Sequence, residues 1–347
     1  MNILVTGNLG YVGAVLVPYL RRQYPDSRIV GYDTGYFAHC LTARTRIPES
    51  FADAQVYGDV RHLPDSLIKE ADAIVCLAAI SNDPIGNEHE GPTLDINQVA
   101  VLDIARRAAE FGVKSFVFAS SCSAYGAAEG PPRREGDSLN PLTAYAKSKV
   151  GTEQGLAKLG NGKMSITALR FATACGMSPR LRLDLVLNDF VACAIATKEI
   201  TVLSDGSPWR PLIDVADMAR AVDWAIRRNQ NDGGPFLTVN VGSNAWNYQV
   251  RELAEAVAEQ IPGTRVSINK DGQPDKRSYR VNFDLFEKIA EGYTPIVTLE
   301  ESIRRLKAGL EAINFSDADF RSSEMMRLKT IQRHRKEGAL STDLRWA

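Results

Sequence analysis

Short apolar runs alternate with helix-period segments through the first half of the chain. Asn2–Thr6, Arg28–Tyr32, Gln55–Tyr57, Ala73–Leu77, Ser115–Ala119 and Met164–Arg170 are rich in β-branched and aliphatic residues and read as strands. Helical patterns over Tyr11–Gln23, Thr93–Phe111 and Pro141–Leu159 lie between them. Alternation at this spacing predicts a parallel sheet with both faces covered by right-handed crossovers. The expected fold class is therefore α/β: a Rossmann-type doubly wound parallel sheet with a smaller mixed α/β C-terminal domain.

After about Thr173 the rhythm changes. Pro179–Asp184 is basic and loop-like, Leu185–Thr197 is helical, and Asp205–Pro211 is a Gly/Pro-rich turn. Val215–Arg227 and Tyr248–Gln260 read as helices and Val239–Gly242 as a strand. The pattern predicts a Rossmann domain over residues 1–173, with segments around 212–245 returning to it. A substrate domain is expected over 174–314 and a helical extension over 315–347. The extension is charged, and its Arg327, Lys329, Arg333, Arg335 and Lys336 read as a solvated helix face.

The bulk numbers narrow the function by exclusion. In 347 residues the formal net charge is -1, which gives no general attraction to nucleic acid or to an anionic membrane. Met1-Asn2 runs straight into the first strand, so no leader is expected, and no apolar run reaches membrane-spanning length. The five cysteines (Cys40, Cys76, Cys122, Cys175, Cys193) are scattered, without a CxxC pair, and the four histidines are isolated. Reduced thiols in a cytoplasmic protein, with no disulfide framework and no metal, are the expectation.

Thr6-Gly7-Asn8-Leu9-Gly10-Tyr11-Val12-Gly13 joins the first strand to the first helix. Glycines there permit a tight turn and a close approach of a pyrophosphate to backbone N–H groups, at the positive end of the helix dipole. Their spacing is GxxGxxG, and glycines alone also serve turns and packing. Asp33 closes the second strand twenty residues past the last glycine, where an acid meets adenosine ribose hydroxyls and repels the extra phosphate of NADP. Strand, glycines, helix and acid in that order point to NAD. Asp59 is placed to accept from the adenine amino group or to cap its own loop. Leu77-Ala78-Ala79 would let a cofactor pass close to the fourth strand, or simply pack.

Tyr145 and Lys149 stand four apart on a helix and share a face. A free tyrosine titrates at about 10, and a nearby ammonium is expected to lower that value enough for proton transfer with a sugar hydroxyl. Lys149 would also hold the nicotinamide ribose. Ser121 follows the fifth strand, at the carboxyl end where open α/β sheets bind ligands, and would hydrogen-bond the reacting oxygen. Alone, a YxxxK pair is common on surfaces and serines commonly cap turns.

These pieces resemble the extended short-chain dehydrogenase/reductase family, in its nucleotide-sugar epimerase/dehydratase group. TGNLGYVG, Asp33, GDVR (58–61), LAAIS (77–81), Asn97, FASSCSAYG (118–126), YAKSK and LRFATACG (169–176) carry the resemblance, followed by DGSPWRPLIDVADMARA (205–221), NVGS (240–243) and DKRSYRV (275–281). The resemblance implies Ser121, Tyr145 and Lys149 as the catalytic set. It implies contacts to NAD from Gly7, Leu9, Gly10, Tyr11, Val12, Gly13, Asp33, Asp59, Val60, Leu77, Ala78, Ala79 and Asn97, besides Tyr145 and Lys149. Ser81, Asn82, Ser121, Ser123 and Thr173 would border the sugar of a nucleotide-diphosphate sugar. Arg210 and Arg277, with Asn188, would hold its diphosphate, for which guanidinium groups are well shaped. A homodimer through the Thr93–Phe111 and Pro141–Leu159 helices is also implied.

One departure bears on the reaction. Sugar 4,6-dehydratases of this group carry Asp-Glu directly after the catalytic serine or threonine, and here the pair is Cys122-Ser123. Chemistry at a single carbinol, C4, is then the expectation, with 4-epimerisation ranked first. A C4 dehydrogenase or 4-keto reductase is the alternative. A non-catalytic NAD-binding regulator is the rival from another class; it would have no use for Ser121, Tyr145 and Lys149 together.

Overall fold

The computed structural model describes residues 1–347 apart from 43–45, 82, 129, 161 and 270–277. Six strands follow the apolar runs: β1 (Asn2–Thr6), β2 (Arg28–Asp33), β3 (Ala54–Tyr57), β4 (Ala73–Cys76), β5 (Ser115–Ser121) and β6 (Ser165–Phe171). Later come β7 (Thr173–Cys175), β8 (Glu199–Val202), β9 (Trp209–Asp214), β10 (Phe236–Val241), β11 (Asn247–Gln249) and β12 (Arg265–Ile268). The large sheet has the order β10-β6-β5-β4-β1-β2-β3, and every pairing in it is parallel. Read from its other edge this is 3-2-1-4-5-6 with one added strand, a doubly wound order whose switch point lies between β1 and β4.

The period of two along β1 explains why both faces are covered. Ile3 and Val5 join Leu16, Leu20, Val117 and Val222 on one face. Leu4 joins Val30, Ile74, Phe116, Ile104 and Leu156 on the other. The Gly13–Gln23 and Val215–Arg227 helices supply the first layer, and Ala100–Phe111 and Ala144–Leu159 the second. β10 returns to the edge of this sheet beside β6. β9 instead pairs with β7 and β11 in a three-stranded sheet, and β8 pairs with β12. A third core, with Leu181, Leu187, Leu253, Ile303 and Leu310, underlies these C-terminal pieces.

Two segments differ from the sequence expectation. The single helix expected over Thr93–Phe111 is interrupted by a π turn, Asp95–Val99, between the α-helices Glu90–Leu94 and Ala100–Phe111. Such wide turns redirect side chains, and here the buried Asn97 is aimed back at the loop after β4. The extension was expected to present a solvated basic face, yet Arg327 is 3% exposed. The cause is tertiary: Ile331, Leu340 and Leu344 belong to the same core as Leu4 and Val30, so the extension packs down and carries Arg327 inward. Among the described residues, no helix is long and apolar enough to cross a membrane.

Candidate active site

The carboxyl ends of the large sheet open into a cavity of about 790 Å³, a size suited to a sizeable ligand. Its floor begins where β1 turns into the first helix. Gly7 has φ +76°, and a Cβ there would lie 2.4 Å from the Ala78 nitrogen. A Cβ on Gly13 would lie 2.5 Å from the Asn8 backbone. These glycines let the turn lie against β4 and bring the helix N-terminus to the cavity. Gly7, Gly10, Tyr11, Val12 and Gly13 all line it, as do Val60 and the small-residue end of β4, Leu77, Ala78 and Ala79.

Asp33 closes β2 on the cavity wall. Its carboxylate accepts from Leu9 N at 3.0 Å and from Gly35 N at 2.7 Å. Burial raises its pKa, and the backbone donors, Arg180 and Arg327 oppose that. Leu9 therefore spends its N–H on Asp33 and lies outside the cavity lining. Asp59 lines the cavity, but its side chain caps Arg61 N at 2.9 Å and is ion-paired with the Arg61 guanidinium at 2.5 Å. Asp59 thus caps its own loop while also standing on the cavity wall. Among the NAD-contact expectations, Asn97 is a correction. It is fully buried outside the lining, accepts from Ile80 N at 2.8 Å, and donates to Ile80 O at 3.0 Å and Ser148 Oγ at 3.1 Å. It clamps the loop that touches the cavity.

Ser121, Tyr145 and Lys149 meet across this cavity. Thr143 N-caps the helix that carries Tyr145, its hydroxyl accepting from Ala146 N at 3.2 Å. Ser121 Oγ accepts from Ser123 N at 3.1 Å, and the Ser121 hydroxyl acts on Tyr145 so as to lower the phenol pKa. Lys149 Nζ donates to Ala119 O at 2.7 Å and stands 5.4 Å from the centre of the Tyr145 ring. The expected lowering of the tyrosine pKa is not what the structure holds. Burial pushes Tyr145 up to about 12, with Ser121 and Arg182 opposing and the Asp83 charge adding to the rise. The reason is geometric: Lys149 addresses the face of the ring, and burial brings its own pKa down to about 8.

Behind this group lies a buried polar network. Arg170 Nη2 meets Glu153 Oε2 at 2.7 Å, and Ser120 Oγ donates to Glu153. Arg170 also donates to Tyr125 Oη at 3.0 Å, and that hydroxyl donates to Asn240 at 2.7 Å. It fastens β5, β6 and β10 to the catalytic helix.

Toward the C-terminal pieces, Ser81, Ser123, Thr173 and Arg210 line the cavity. Ser81 Oγ accepts from Arg182 at 2.9 Å, and Arg210 donates to Trp209 O at 2.8 Å. Ser123 Oγ is buried without a hydrogen-bond partner, so a polar ligand there would satisfy it. Asn82 and Arg277 lie outside the described residues. Asn188 is a second correction. It is fully buried, accepts from Gly176 N at 2.9 Å, and donates to Arg182 O at 2.9 Å and Tyr11 Oη at 3.3 Å. It shapes the Arg180–Asp184 loop from beneath.

Among the cavity residues that escaped the sequence reading are Asp83, Arg182 and Arg327. Arg182 stands in Arg180-Leu181-Arg182-Leu183-Asp184, where both leucines are 0% exposed. That strict alternation was the available signal, and the charge of the segment masked it. Cys122 is fully buried, donates to Arg170 O at 3.1 Å, and lies outside the cavity lining. Elsewhere, ligand atoms of His39, Cys40 and Glu324 converge within 4.8 Å, against the expectation of isolated histidines. The Arg333 guanidinium is ion-paired with Glu324 and reaches His39 Nε2 at 3.0 Å, so a cation already fills that place.

The residues around the cavity fit a dinucleotide: a glycine turn at a helix N-terminus, an acid on β2, and a Tyr–Lys–Ser group facing both. A model of the NAD dependent epimerase/dehydratase family matches residues 3–242, more than half of the chain. The uncharacterised UDP-glucose epimerase YtcB of Bacillus subtilis is 28% identical, over 78% of this chain and 84% of its own. The dTDP-glucose 4,6-dehydratase of an Actinoplanes species is 26% identical, over 90% of this chain and 98% of its own. Among solved structures, MoeE5 in complex with UDP-glucuronic acid and NAD superimposes with a TM-score of 0.76 at 24% identity, over 90% of this chain and 99% of that one. The family match runs from β1 to the end of β10 and takes in Ser121, Tyr145 and Lys149, so the chain belongs to the NAD dependent epimerase/dehydratase family, with NAD as its cofactor.

Proposed function

We propose that this enzyme epimerises a nucleotide-diphosphate sugar at C4. The observation that carries the reading is that Ser121, Tyr145 and Lys149 all line the one cavity that the glycine turn and Asp33 share. NAD, when bound, supplies a hydride acceptor and donor. Tyr145 takes the proton of the C4 hydroxyl at its phenolic oxygen and returns it to the same oxygen, O4, after the 4-keto sugar has turned its other face toward the nicotinamide site, so that inversion comes from the face of C4 at which hydride would return. Ser121 holds the reacting oxygen and shares that proton. Lys149 keeps Tyr145 in place through its ring contact and the Ala119 carbonyl. Arg210 binds the diphosphate at the far end of the same cavity.

Epimerisation needs no acid beyond these groups. Position 122 turns its thiol into the core, and position 123 offers only a hydroxyl. The similarity to a UDP-glucose epimerase supports the substrate class. A second reading, elimination of water, has one observation in its favour: Asp83 places a carboxylate on the cavity wall within electrostatic reach of Tyr145. Incubation with UDP-glucose and dTDP-glucose, followed by NMR and mass spectrometry, separates the readings. Inversion at C4 with unchanged mass is expected. A released ketone would indicate a dehydrogenase, and loss of water a dehydratase. Tyr145→Phe should lower turnover by at least about 100-fold while NAD binding persists; full turnover in that variant would remove the catalytic assignment.

A further inference from the structure

The C-terminal extension lies outside the family match, yet it reaches the cofactor cavity. Trp346 Nε1 donates to Thr34 O at 2.7 Å, Tyr36 donates to the Leu344 carbonyl, and His334 Nε2 meets Tyr36 O at 3.1 Å. These contacts clasp the loop that follows Asp33. They also seat the Arg327–Lys336 helix so that its first residue enters the cavity wall.

Among the described arginines of this region, Arg327 makes no direct ion pair. Its neighbour Arg180 is paired with Glu49 at 3.0 Å, and Arg182 with Asp184 at 2.9 Å. Among the described residues, no carboxylate lies within ion-pair distance of Arg327. Its guanidinium lies 4.5 Å from the centre of the Phe37 ring and its Nη2 donates to Arg180 O at 2.9 Å. Its Nη1 is buried with no partner. A buried guanidinium that Asp33 and Asp184 reach only electrostatically, with no direct ion pair, is incompletely compensated, and an anionic ligand in the cavity would relieve that cost.

Its electrostatic neighbours say which anion. Arg327 acts electrostatically on Asp33, and Arg182, which itself acts on Tyr145, acts on Arg327; all four line the same cavity. A dinucleotide with its adenosine ribose at Asp33 and its reactive end at Tyr145 carries its diphosphate between them. We propose that Arg327, delivered by the C-terminal extension, binds the diphosphate of NAD. The extension is then part of the cofactor site, and NAD lies beneath it.

Calorimetric titration of NAD-free protein tests this. With Arg327→Met, the Kd for NAD and for ADP-ribose should rise at least tenfold, while adenosine and UDP bind as before. Arg327→Lys keeps the charge but loses the fork, and should weaken NAD severalfold. The midpoint of thermal unfolding of Arg327→Met without NAD should hold or rise, because a buried charge has gone. Unchanged NAD affinity in Arg327→Met would overturn the proposal. So would weakening confined to UDP, weakening confined to NADP, or an equal loss for adenosine. Should Arg327→Met not fold, unchanged NAD affinity in Arg327→Lys would overturn it.

Discussion

Lys149 donates to the carbonyl of Ala119 at 2.7 Å and so ties the helix of Tyr145 to the strand that ends in Ser121. Two elements far apart in sequence must hold two side chains at one reacting oxygen, and this bond fixes their spacing. The lysine is buried against the Phe118 and Tyr145 rings, where an ammonium is poorly solvated. Its position serves the site at the expense of the fold.

That cost can be measured. Burial brings the Lys149 pKa down to about 8, from 10.5 in the unfolded chain. Between those values the unfolded state holds a proton that the native state has released, so this group makes stability rise with pH across the window. Below it, the native state carries the ammonium at a cost of up to about 3 kcal/mol. Lys149→Met should therefore be inactive yet more stable at pH 7, and its advantage should shrink toward pH 10. Urea denaturation of both proteins at several pH values tests this. A less stable variant at pH 7 would mean that the Ala119 bond outweighs the burial.

Asp83 offers a pH test of the catalytic tyrosine. Its negative charge raises the Tyr145 pKa, and Thr143 holds it, donating to Oδ1 at 2.7 Å. Asp83→Asn removes the charge and keeps an acceptor for Thr143. The Tyr145 pKa should fall, and the ascending limb of the kcat/KM profile should move to lower pH. A limb that stays in place would show that another group titrates in it. Loss of activity at every pH would point to Asp83 as an acid in its own right and favour elimination.

The sequence carried the large sheet because β1, β4, β5 and β6 are apolar on both faces, and only a covered parallel sheet buries them fully. Gly7, Asp33, Ser121, Tyr145 and Lys149 were legible because their chemistry depends on local spacing, at strand ends or along one helix. The sequence places Asn97 and Asn188 in the right region, and in the structure their amides bond to backbone loops and neighbouring hydroxyls. Whether a buried amide faces a ligand or a backbone loop is decided by tertiary packing, and for Asn97 by a π turn that no periodicity announces. Arg327 was misread for the same kind of reason. Its helix is strongly polar in composition, and only contacts made by Leu340 and Leu344 further along reveal which side faces inward.

The reassigned Asn97 makes its own prediction. Its amide satisfies both the N–H and the carbonyl of Ile80 as well as Ser148 Oγ, all in the interior. Asn97→Ala strands those groups and should cost about 1–3 kcal/mol for each one that water cannot reach. NAD affinity, measured well below the unfolding temperature, should change little, since the side chain lies outside the cavity. A large loss of NAD affinity with stability intact would restore Asn97 to the cofactor site.

The Glu153–Arg170 pair tests how far the site depends on what lies behind it. Both side chains are 6% exposed, and the carboxylate takes three donations from Arg170 and one from Ser120. Removing one charge leaves the other buried and unmatched, at a cost of about 3–5 kcal/mol. Replacing both by apolar residues of similar size removes that mismatch. Glu153→Gln should therefore be strongly destabilised, and Glu153→Leu with Arg170→Met together much less so. The double variant should still lose turnover, because Ser120 adjoins Ser121 and Tyr125 hangs from Arg170 on the same strand end. Denaturant titration and steady-state kinetics on the two variants separate these effects. A double variant with full turnover would confine the network to stability and leave the placement of Ser121 to the Lys149–Ala119 bond alone.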